Sequence, residues 1–367
     1  MVFKNNINNL FHKINRKFRN FIFKNRFGKN YWSVKLIIFI MNMLDCFEIY
    51  TNTNDVGRFD HYVPKFLLKN WRISETGTDK GYIFSWSKNN NRIEKVSLSK
   101  EAGVIDWDVF NSQGVPSDFL SKKVFAELLE DKASRVVKLI NNNSSIELTF
   151  LEKSTLAVFI AHQVTRVPAF HESLAHFLSI GYSNNLLNKE DLGNKKHLVQ
   201  KVVFNKIGIT YDQFLNEEPK TIIENIKSQK IFLSIEVATN IAEKIYRGNL
   251  HILEIPTNSS DEFVISDNPV VFLDMDREKL LEIIPWWEIG QANFFILMPI
   301  SRKKAIFYSK LKKKDGPVEN KNKELIQLLN AGQYLFCTNK IFCQNQEILN
   351  NHLKMYDSEL QANNTIK

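Results

Sequence analysis

Cysteine is scarce in this sequence, whose 367 residues contain only Cys46, Cys337 and Cys343. An odd number of cysteines without CxxC spacing argues against a disulfide framework and against a zinc site. Cys337 and Cys343 lie in apolar runs, where a small buried thiol is usual. This cysteine usage predicts a reducing, cytoplasmic location rather than secretion.

Glycine, proline and long hydrophobic runs are also sparse. With 13 Gly, 9 Pro, 44% hydrophobic and 24% charged residues, the composition excludes collagen-like, coiled-coil and disordered classes and predicts a globular protein. The apolar run Leu36–Met41, even extended to Leu44, is about half the roughly 20 residues that cross a bilayer. We therefore expect no transmembrane helix in this run.

Acidic residues are absent from residues 1–42, which contain nine Lys or Arg. The rest of the chain contains 40 basic and 40 acidic residues, so the net charge of +9 belongs to this stretch and is no nucleic-acid signature of the body. Residues 1–59 are predicted as a basic extension with three interpretations: an arm on anionic lipid or nucleic acid, a solvated tail, or a mis-assigned start with Met41 or Met43 as the true first residue. Composition favours the last two, and any membrane contact would come only through this extension.

Strand signals lie at both ends of the body. Tyr82–Trp86 and Ile93–Leu98 flank an Asn-rich turn, which predicts a hairpin. Other strands are predicted at Val104–Phe110, Leu250–Ile255, Phe263–Ser266, Val270–Leu273, Phe294–Pro299, Ala305–Tyr308 and Tyr334–Cys337. Strands at both ends with helices between them predict an α+β fold with a mostly antiparallel sheet.

Helical periodicity occupies the middle of the chain. Leu120 to Ile140 keeps helical spacing and predicts a first helix. A second helix at about 152–167 is apolar on nearly all sides, which predicts a central position in its domain.

Helical, Lys-rich sequence continues beyond it and predicts a large helical insertion at about 170–249. A last helix is predicted at about 319–331. We thus predict one domain over residues 60–345, followed by a C-terminal tail at 346–367.

Candidate site residues are polar groups placed where polarity costs free energy. Gln163 and Arg166 lie on one stripe of the apolar second helix. A buried guanidinium needs a carboxylate, an anionic ligand or a cleft, and Asp267, at the end of an apolar strand, is the carboxylate expected to face it. His61 is the third member, and Glu130 on the first helix is a fourth candidate.

Structural explanations compete with this functional one. Arg166 with Asp267 would equally form a buried ion pair, Asp267–Pro269 a simple Asx turn, and His61 a hydrogen bond to a carbonyl. His171 and His176 resemble HExxH but are one residue too far apart to share zinc on a helix. Asp274 and Asp276 could join Asp267 at Mg²⁺, although an N-cap role suits Asp276 better.

The same residues carry a resemblance to a known family. His61 to Leu68, the Gln-x-x-Arg-x-Pro of Gln163 to Pro168, Ser266 to Pro269, Pro299 to Ser301 and Asn330 together resemble domain-of-unknown-function family 4238 over about residues 60–340. Lys65 and Leu67 depart from the first block. The resemblance implies that His61, Gln163, Arg166 and Asp267 belong to one constellation, and it implies no activity.

Two functions follow as hypotheses. In the first, the protein is a hydrolase of a phosphate-bearing substrate, a nucleotide or nucleic acid, of the kind found in nuclease-like defence or toxin proteins. His61, Arg166 and Asp267 would be catalytic, and Gln163 and Asn268 would bind substrate, with Mg²⁺ as a candidate cofactor. In the second, these residues form a structural polar network in a non-catalytic binding module, and the Lys-rich helices meet a partner.

Overall fold

The structure is a computed structural model of the chain. It describes residues 59–73, 81–105, 107, 110–112, 115–117, 120–143, 147–171, 234–235, 237–239, 241–274, 279–281, 294–309, 316–319 and 323–365. All of the basic extension except Phe59, and most of the predicted helical insertion at 170–249, lie outside the described residues.

Two compact units contain the described residues. The first unit comprises residues 110–128, as a short antiparallel hairpin of Phe110–Ser112 with Val115–Ser117 and most of a π-helical segment, Leu120–Glu130. The second unit comprises residues 59–107 and everything from Leu129 onward. All site residues discussed below belong to the second unit.

The strands form two larger sheets. Their bounds are β1 Phe59–His61, β2 Tyr82–Ser87, β3 Arg92–Ser97, β4 Gly103–Ile105, β5 Phe110–Ser112, β6 Val115–Ser117, β7 Asn249–Glu254, β8 Ile265–Ser266, β9 Val271–Asp274, β10 Lys279–Leu281, β11 Phe294–Pro299, β12 Lys304–Ser309, β13 Gly316–Glu319 and β14 Lys340–Cys343. One sheet has the order β10-β9-β11-β12-β7-β13 and the other β3-β2-β14-β8, while β1 pairs with β4 alone. Apart from β13 beside β7, the neighbouring strands of these sheets run antiparallel, which confirms the predicted α+β class.

The helices pack around these sheets. Their bounds are α1 Lys65–Leu68, α2 Asp131–Asn142, α3 Phe150–Arg166, α4 Lys323–Phe336 and α5 Gln346–Thr365. The residues predicted as a C-terminal tail thus form α5. Short helical stretches at 168–171 and 241–247 lie at either end of the predicted insertion.

Most strand predictions correspond to strands of the structure, and one was wrong. The hairpin is confirmed, since β2 pairs with β3 around the Asn-rich turn. The strand predicted at Tyr334–Cys337 is instead the end of α4, and the strand follows at β14. The apolar run Tyr334–Cys337 fits both periods, because a short hydrophobic run buries equally well as a helical turn or as a strand.

Helix α3 is central to the second unit, as its composition predicted. Thr149 and Glu152 form a reciprocal capping box that fixes its first turn. From Leu156 onward nearly every side chain is buried, including the polar Gln163 and Arg166 in the last turn. The apolar body of the helix therefore carries a polar end into the protein interior.

Candidate functional site

The end of α3 places a guanidinium inside the protein. Arg166 is the last residue of α3, and its Nη1 lies 2.5 Å from Oε1 of Glu130; the two side chains are 5% and 19% exposed. A cation at this position faces the negative end of the helix dipole as well as the carboxylate. The carboxylate expected here was Asp267, and the structure pairs Arg166 with Glu130 instead.

His61 ends β1 and lies within electrostatic range of Arg166. Its Nε2 is 3.3 Å from the carbonyl oxygen of Leu98. Burial lowers the pKa of His61, the Leu98 hydrogen bond opposes this, and the charges of Lys65 and Arg166 lower it further. The imidazole is therefore neutral at neutral pH, and donation from Nε2 to Leu98 leaves the lone pair on Nδ1.

Gln163 is fully buried one turn before Arg166. Within the described residues, neither its Oε1 nor its Nε2 has a hydrogen-bond partner. A buried amide without partners costs about 1–3 kcal/mol, so such a residue in the interior calls for a water or a ligand group. Beside it, burial and then the charge of Arg166 keep the pKa of His162 well below its usual value, so His162 is neutral too.

Three further residues surround this helix end, and no spacing signal marked them as site residues. Trp107 donates from Nε1 to the carbonyl of Arg166 at 2.9 Å, and its ring contacts His171 edge-on at 5.4 Å. Ser234 donates to the carbonyl of Thr165 at 2.9 Å and lies 3.5 Å from Nε2 of His171. His171 was excluded as a zinc ligand on spacing, and the structure gives it this ring and hydroxyl environment instead.

Asp267 lies in a different setting. Its carboxylate is 1% exposed and accepts three backbone N–H groups, from Thr338 to Oδ1 at 2.8 Å and from Asn339 and Lys340 to Oδ2 at 2.8 and 2.9 Å. Burial raises the pKa of Asp267 to about 6, against the lowering effect of these hydrogen bonds. The carboxylate thus fastens the turn between α4 and β14 to the end of β8.

Side chains of α4 form hydrogen bonds with the backbone of the segment that contains β8, in the way that a neighbouring strand would. Asn330 accepts the N–H of Val264 at 3.0 Å. One turn later, Gln333 accepts the N–H of Ser266 at 2.8 Å and donates to the carbonyl of Pro269 at 3.0 Å. We call Ser266–Pro269, with these two α4 residues and the Asp267 hydrogen bonds, the Asp267 corner. The polar groups of the Asp267 corner form hydrogen bonds with one another.

The Asp267 corner and the end of α3 are neighbours. A cavity of about 10 Å³, the size of one water, is lined by Val164 and Phe170 from the α3 side and by Asn268 from the corner. After burial, the charge of Asp267 is the largest influence that raises the pKa of Tyr62, whose ring lies 5.7 Å from that of Trp107. The Asp267 corner therefore lies against the end of α3, but the carboxylate that pairs with Arg166 is that of Glu130.

Metal binding is the weakest of the sequence expectations here. Among the described residues, no group of three or more His, Cys, Asp or Glu side chains is arranged to hold a metal ion. Asp276, one of the candidate Mg²⁺ ligands, lies outside the described residues.

The family comparison covers nearly all of this architecture. A family described as "Protein of unknown function (DUF4238)" matches residues 60–347. The chain belongs to this family. No curated protein and no solved structure matches the chain. Because the DUF4238 description names no activity, function has to be argued from the geometry of the site.

That geometry divides the motif residues of this DUF4238 chain into two groups. Ser266 to Pro269 and Asn330 build the Asp267 corner. Gln163, Arg166 and Glu130 form a second group at the end of α3, and His61 lies near enough for the charge of Arg166 to lower its pKa; we call these four residues the Arg166 cluster. The cluster combines a guanidinium, a neutral imidazole, a carboxylate and an amide that has no partner within the described residues.

Proposed function

We propose that this protein is a hydrolase of a phosphate-bearing substrate, nuclease-like in acting on a nucleotide or nucleic acid, with the Arg166 cluster as its active site. The observation that carries the proposal is the fully buried amide of Gln163, which has no partner among the described residues and lies one turn from a buried guanidinium. A buried polar group without partners calls for an explanation, and a bound ligand that completes it is the explanation we propose.

Each residue of the Arg166 cluster has a defined part in this reaction. Arg166 binds a phosphate oxygen while Glu130 holds the guanidinium plane in place. His61 takes a proton from water at Nδ1, and the water oxygen attacks phosphorus as the bond to the leaving oxygen breaks. The leaving oxygen then receives that proton from His61. Gln163 orients the water or a phosphate oxygen.

Asp267 has a supporting part in the same proposal. Its carboxylate already accepts three backbone N–H groups. We assign it, with Asn268, to holding the Asp267 corner against the end of α3 rather than to contact with substrate. This revises the catalytic part expected for Asp267 and the substrate-binding part expected for Asn268.

The test is hydrolysis of phosphomonoesters, phosphodiesters, nucleotides and single- and double-stranded nucleic acid by the purified chain. We expect His61→Gln and Arg166→Lys to lower turnover by at least about 100-fold, since a general base and a bidentate anion contact are both lost. Arg135→Lys is the matched control, because Arg135 forms an exposed ion pair with Asp131 on α2. Equal turnover in Arg166→Lys and Arg135→Lys would contradict the proposal.

The pH profile gives a second readout. A base must be deprotonated, and the pKa of His61 is below its usual value of 6.5. Turnover should therefore stay constant at neutral and alkaline pH and fall only as the solution becomes more acidic than that value. A profile that falls on the alkaline side would remove His61 as the base.

A non-catalytic binding module is the second candidate. It is favoured by the Arg166–Glu130 ion pair and by the saturated carboxylate of Asp267, which also describe a purely structural network. A thermal-shift screen of nucleotides and divalent metals against the full chain separates the two. A nucleotide that raises the melting temperature without being hydrolysed, and loses this effect in Arg166→Lys, supports the binding module.

We place this function in the cytoplasm. Cys337 and Cys343 are free thiols in the interior, and burial raises the pKa of each to about 12, so both remain unreactive thiols. Within the described part of the chain, none of the helices has the length and apolar character to cross a membrane.

A further inference from the structure

His352 links helix α5 to helix α4 by a polar contact. Its Nε2 lies 3.3 Å from Nδ2 of Asn330 on α4. Around this contact α5 packs through the buried side chains of Leu349, Leu353 and Tyr356, and the ring of Tyr356 stacks on that of His352 with a centroid distance of 6.1 Å. His352 itself is partly exposed, so protons from solvent reach it.

The hydrogen bonds of Asn330 decide which form of the imidazole fits. Oδ1 of Asn330 accepts the N–H of Val264 at 3.0 Å, and Nδ2 donates to the carbonyl of Glu262 at 2.9 Å. Nδ2 has a second hydrogen for His352, and Nε2 of the imidazole has to accept it. The ring that fits this contact is therefore neutral, with its own proton on Nδ1.

The groups that favour a charged ring come from the segment before β8. The carboxylate of Asp261 and the backbone carbonyl of Glu262 both raise the pKa of His352. The side chain of Glu262 is engaged elsewhere, by Arg302 at 2.9 Å and by Lys303 at 3.9 Å. Burial outweighs the two raising effects and lowers the pKa of His352 from its usual value of 6.5, so the imidazole is neutral at neutral pH.

Protonation changes the contact between His352 and Asn330 from attractive to repulsive. Nε2 then carries a hydrogen that faces the N–H of Asn330 across 3.3 Å, so that two donors meet. The acceptor towards which the charged ring turns is the carbonyl of Glu262, which already accepts from Asn330. Because Asn330 also accepts the N–H of Val264, a shift of its amide reaches the segment that contains β8.

From these contacts we propose that His352 is a pH-sensitive link between α5 and α4. Acidification protonates the imidazole, breaks the hydrogen bond from Asn330 and weakens the packing of α5 on α4. The same step loosens the contact of α4 with the Asp267 corner, to which Asn330 belongs. No residue of the Arg166 cluster takes part, so the link does not depend on the proposed hydrolysis.

The test is hydrogen–deuterium exchange of the full chain at about pH 7.5 and about pH 5, with rates corrected for the intrinsic pH dependence of amide exchange. We expect the protection of α5 to fall at least about fivefold at the lower pH, because the histidine of a detached α5 gains its proton at about 6.5 and the packed one only at lower pH.

Two variants separate His352 from other titrating groups. His352→Gln places an amide oxygen where Nε2 accepts, and this amide does not titrate. Its α5 should be protected as in the wild type at about pH 7.5 and should keep that protection at about pH 5. Asn351→Gln is the matched control, because Asn351 is the exposed neighbour on the same helix, and it should respond to pH like the wild type.

Each outcome decides the proposal. Protection of α5 that falls in the wild type and in Asn351→Gln, but not in His352→Gln, supports it. No fall in the wild type, an equal fall in His352→Gln, or an equal fall in α3, which would report unfolding of the whole unit, overturns it. A His352→Gln variant whose α5 is unprotected even at neutral pH also overturns it, because the histidine would then do more than accept the hydrogen bond of Asn330.

Discussion

The Asp267 corner and the Arg166 cluster are neighbours built from similar residue types. They differ in how far their buried polar atoms have hydrogen-bond partners. In the corner, Gln333 uses both amide atoms and Asp267 uses both oxygens. In the cluster, Gln163 is equally buried and uses neither amide atom within the described residues. Two buried glutamines thus differ in whether the described residues supply hydrogen-bond partners for their amide groups.

This difference separates stability from function. A saturated polar network fixes one backbone arrangement and needs nothing more. An unsatisfied buried amide lowers stability, and residues that break a local rule without compensation are typical of functional sites. We therefore expect the corner to stabilise the fold, and the cluster is where we propose that a ligand binds.

Removing the carboxylate of Asp267 should have the largest effect on stability. Asp267→Ala leaves three buried N–H groups, of Thr338, Asn339 and Lys340, without an acceptor. We expect the free energy of unfolding to fall by about 4 kcal/mol, measured by chemical denaturation. Asp261→Ala is the control, because Asp261 is half-buried and its carboxylate accepts one serine hydroxyl. A loss in Asp267→Ala no larger than in this control would show that the corner is not a structural element.

The two glutamines give the most direct test of the contrast. Gln333→Met removes hydrogen bonds to Ser266 and Pro269 and should cost about 3 kcal/mol. Gln163→Met removes an amide that has no partner among the described residues, and it should stabilise the protein by about 1 kcal/mol. Thermal and chemical denaturation measure both.

At Gln163 we expect the substitution to lower activity while it raises stability. If its amide serves a ligand, Gln163→Met loses phosphoester turnover or nucleotide binding while its melting temperature rises. A Gln163→Met variant that is destabilised as much as Gln333→Met would mean that the two residues have the same structural part.

Local sequence patterns predicted most of the helices and strands that the structure describes. Helix α3, the β2–β3 hairpin and most strands carry local periodicity, which is visible without tertiary contacts. The error at Tyr334–Cys337 falls on a short apolar run, where helix and strand periods cannot be distinguished. The structure places Asp267 directly after strand β8, as the apolar run before it indicated.

The partner of Arg166 could not be read from spacing. Glu130 and Asp267 are both acidic residues far from Arg166 in sequence, and the choice depends on how the helices pack. The surrounding Trp107 and Ser234 come from segments with no distinctive motif, so only the folded chain brings them to the helix end. Long-range contacts of this kind leave no local signature.

Breaking the ion pair of the cluster tests its rigidity. Glu130→Gln removes the carboxylate that lies 2.5 Å from the buried Arg166 guanidinium, and we expect the free energy of unfolding to fall by about 2 kcal/mol, since Glu130 itself is partly exposed. The adjacent Asp131→Asn breaks the exposed pair with Arg135 and should cost less than about 0.5 kcal/mol. Equal losses in the two variants, measured by urea denaturation, would mean that the Arg166–Glu130 pair contributes no more to stability than a surface pair.

The smallest effect is the pH dependence of the corner. The pKa of Asp267 is raised from its usual value of 3.8 to about 6, so between these values the folded state holds a proton that the unfolded state has released. Stability from this group is therefore complete below the lower value and is lost as pH rises through the higher one. Between about pH 5 and about pH 7 the unfolding free energy of the wild type should fall by about 1 kcal/mol relative to Asp267→Asn, which does not titrate.

His61 and His162 act with the opposite sign in this pH range. Their pKa values are lowered, so their contribution to stability is lost as the solution is acidified below the usual histidine value of 6.5. Both histidines are present in the wild type and in Asp267→Asn, so their contributions cancel in the difference between the two proteins. A difference that widens as pH rises would mean that the three backbone hydrogen bonds outweigh burial at Asp267, and that the corner binds the ionised carboxylate more tightly than the neutral acid.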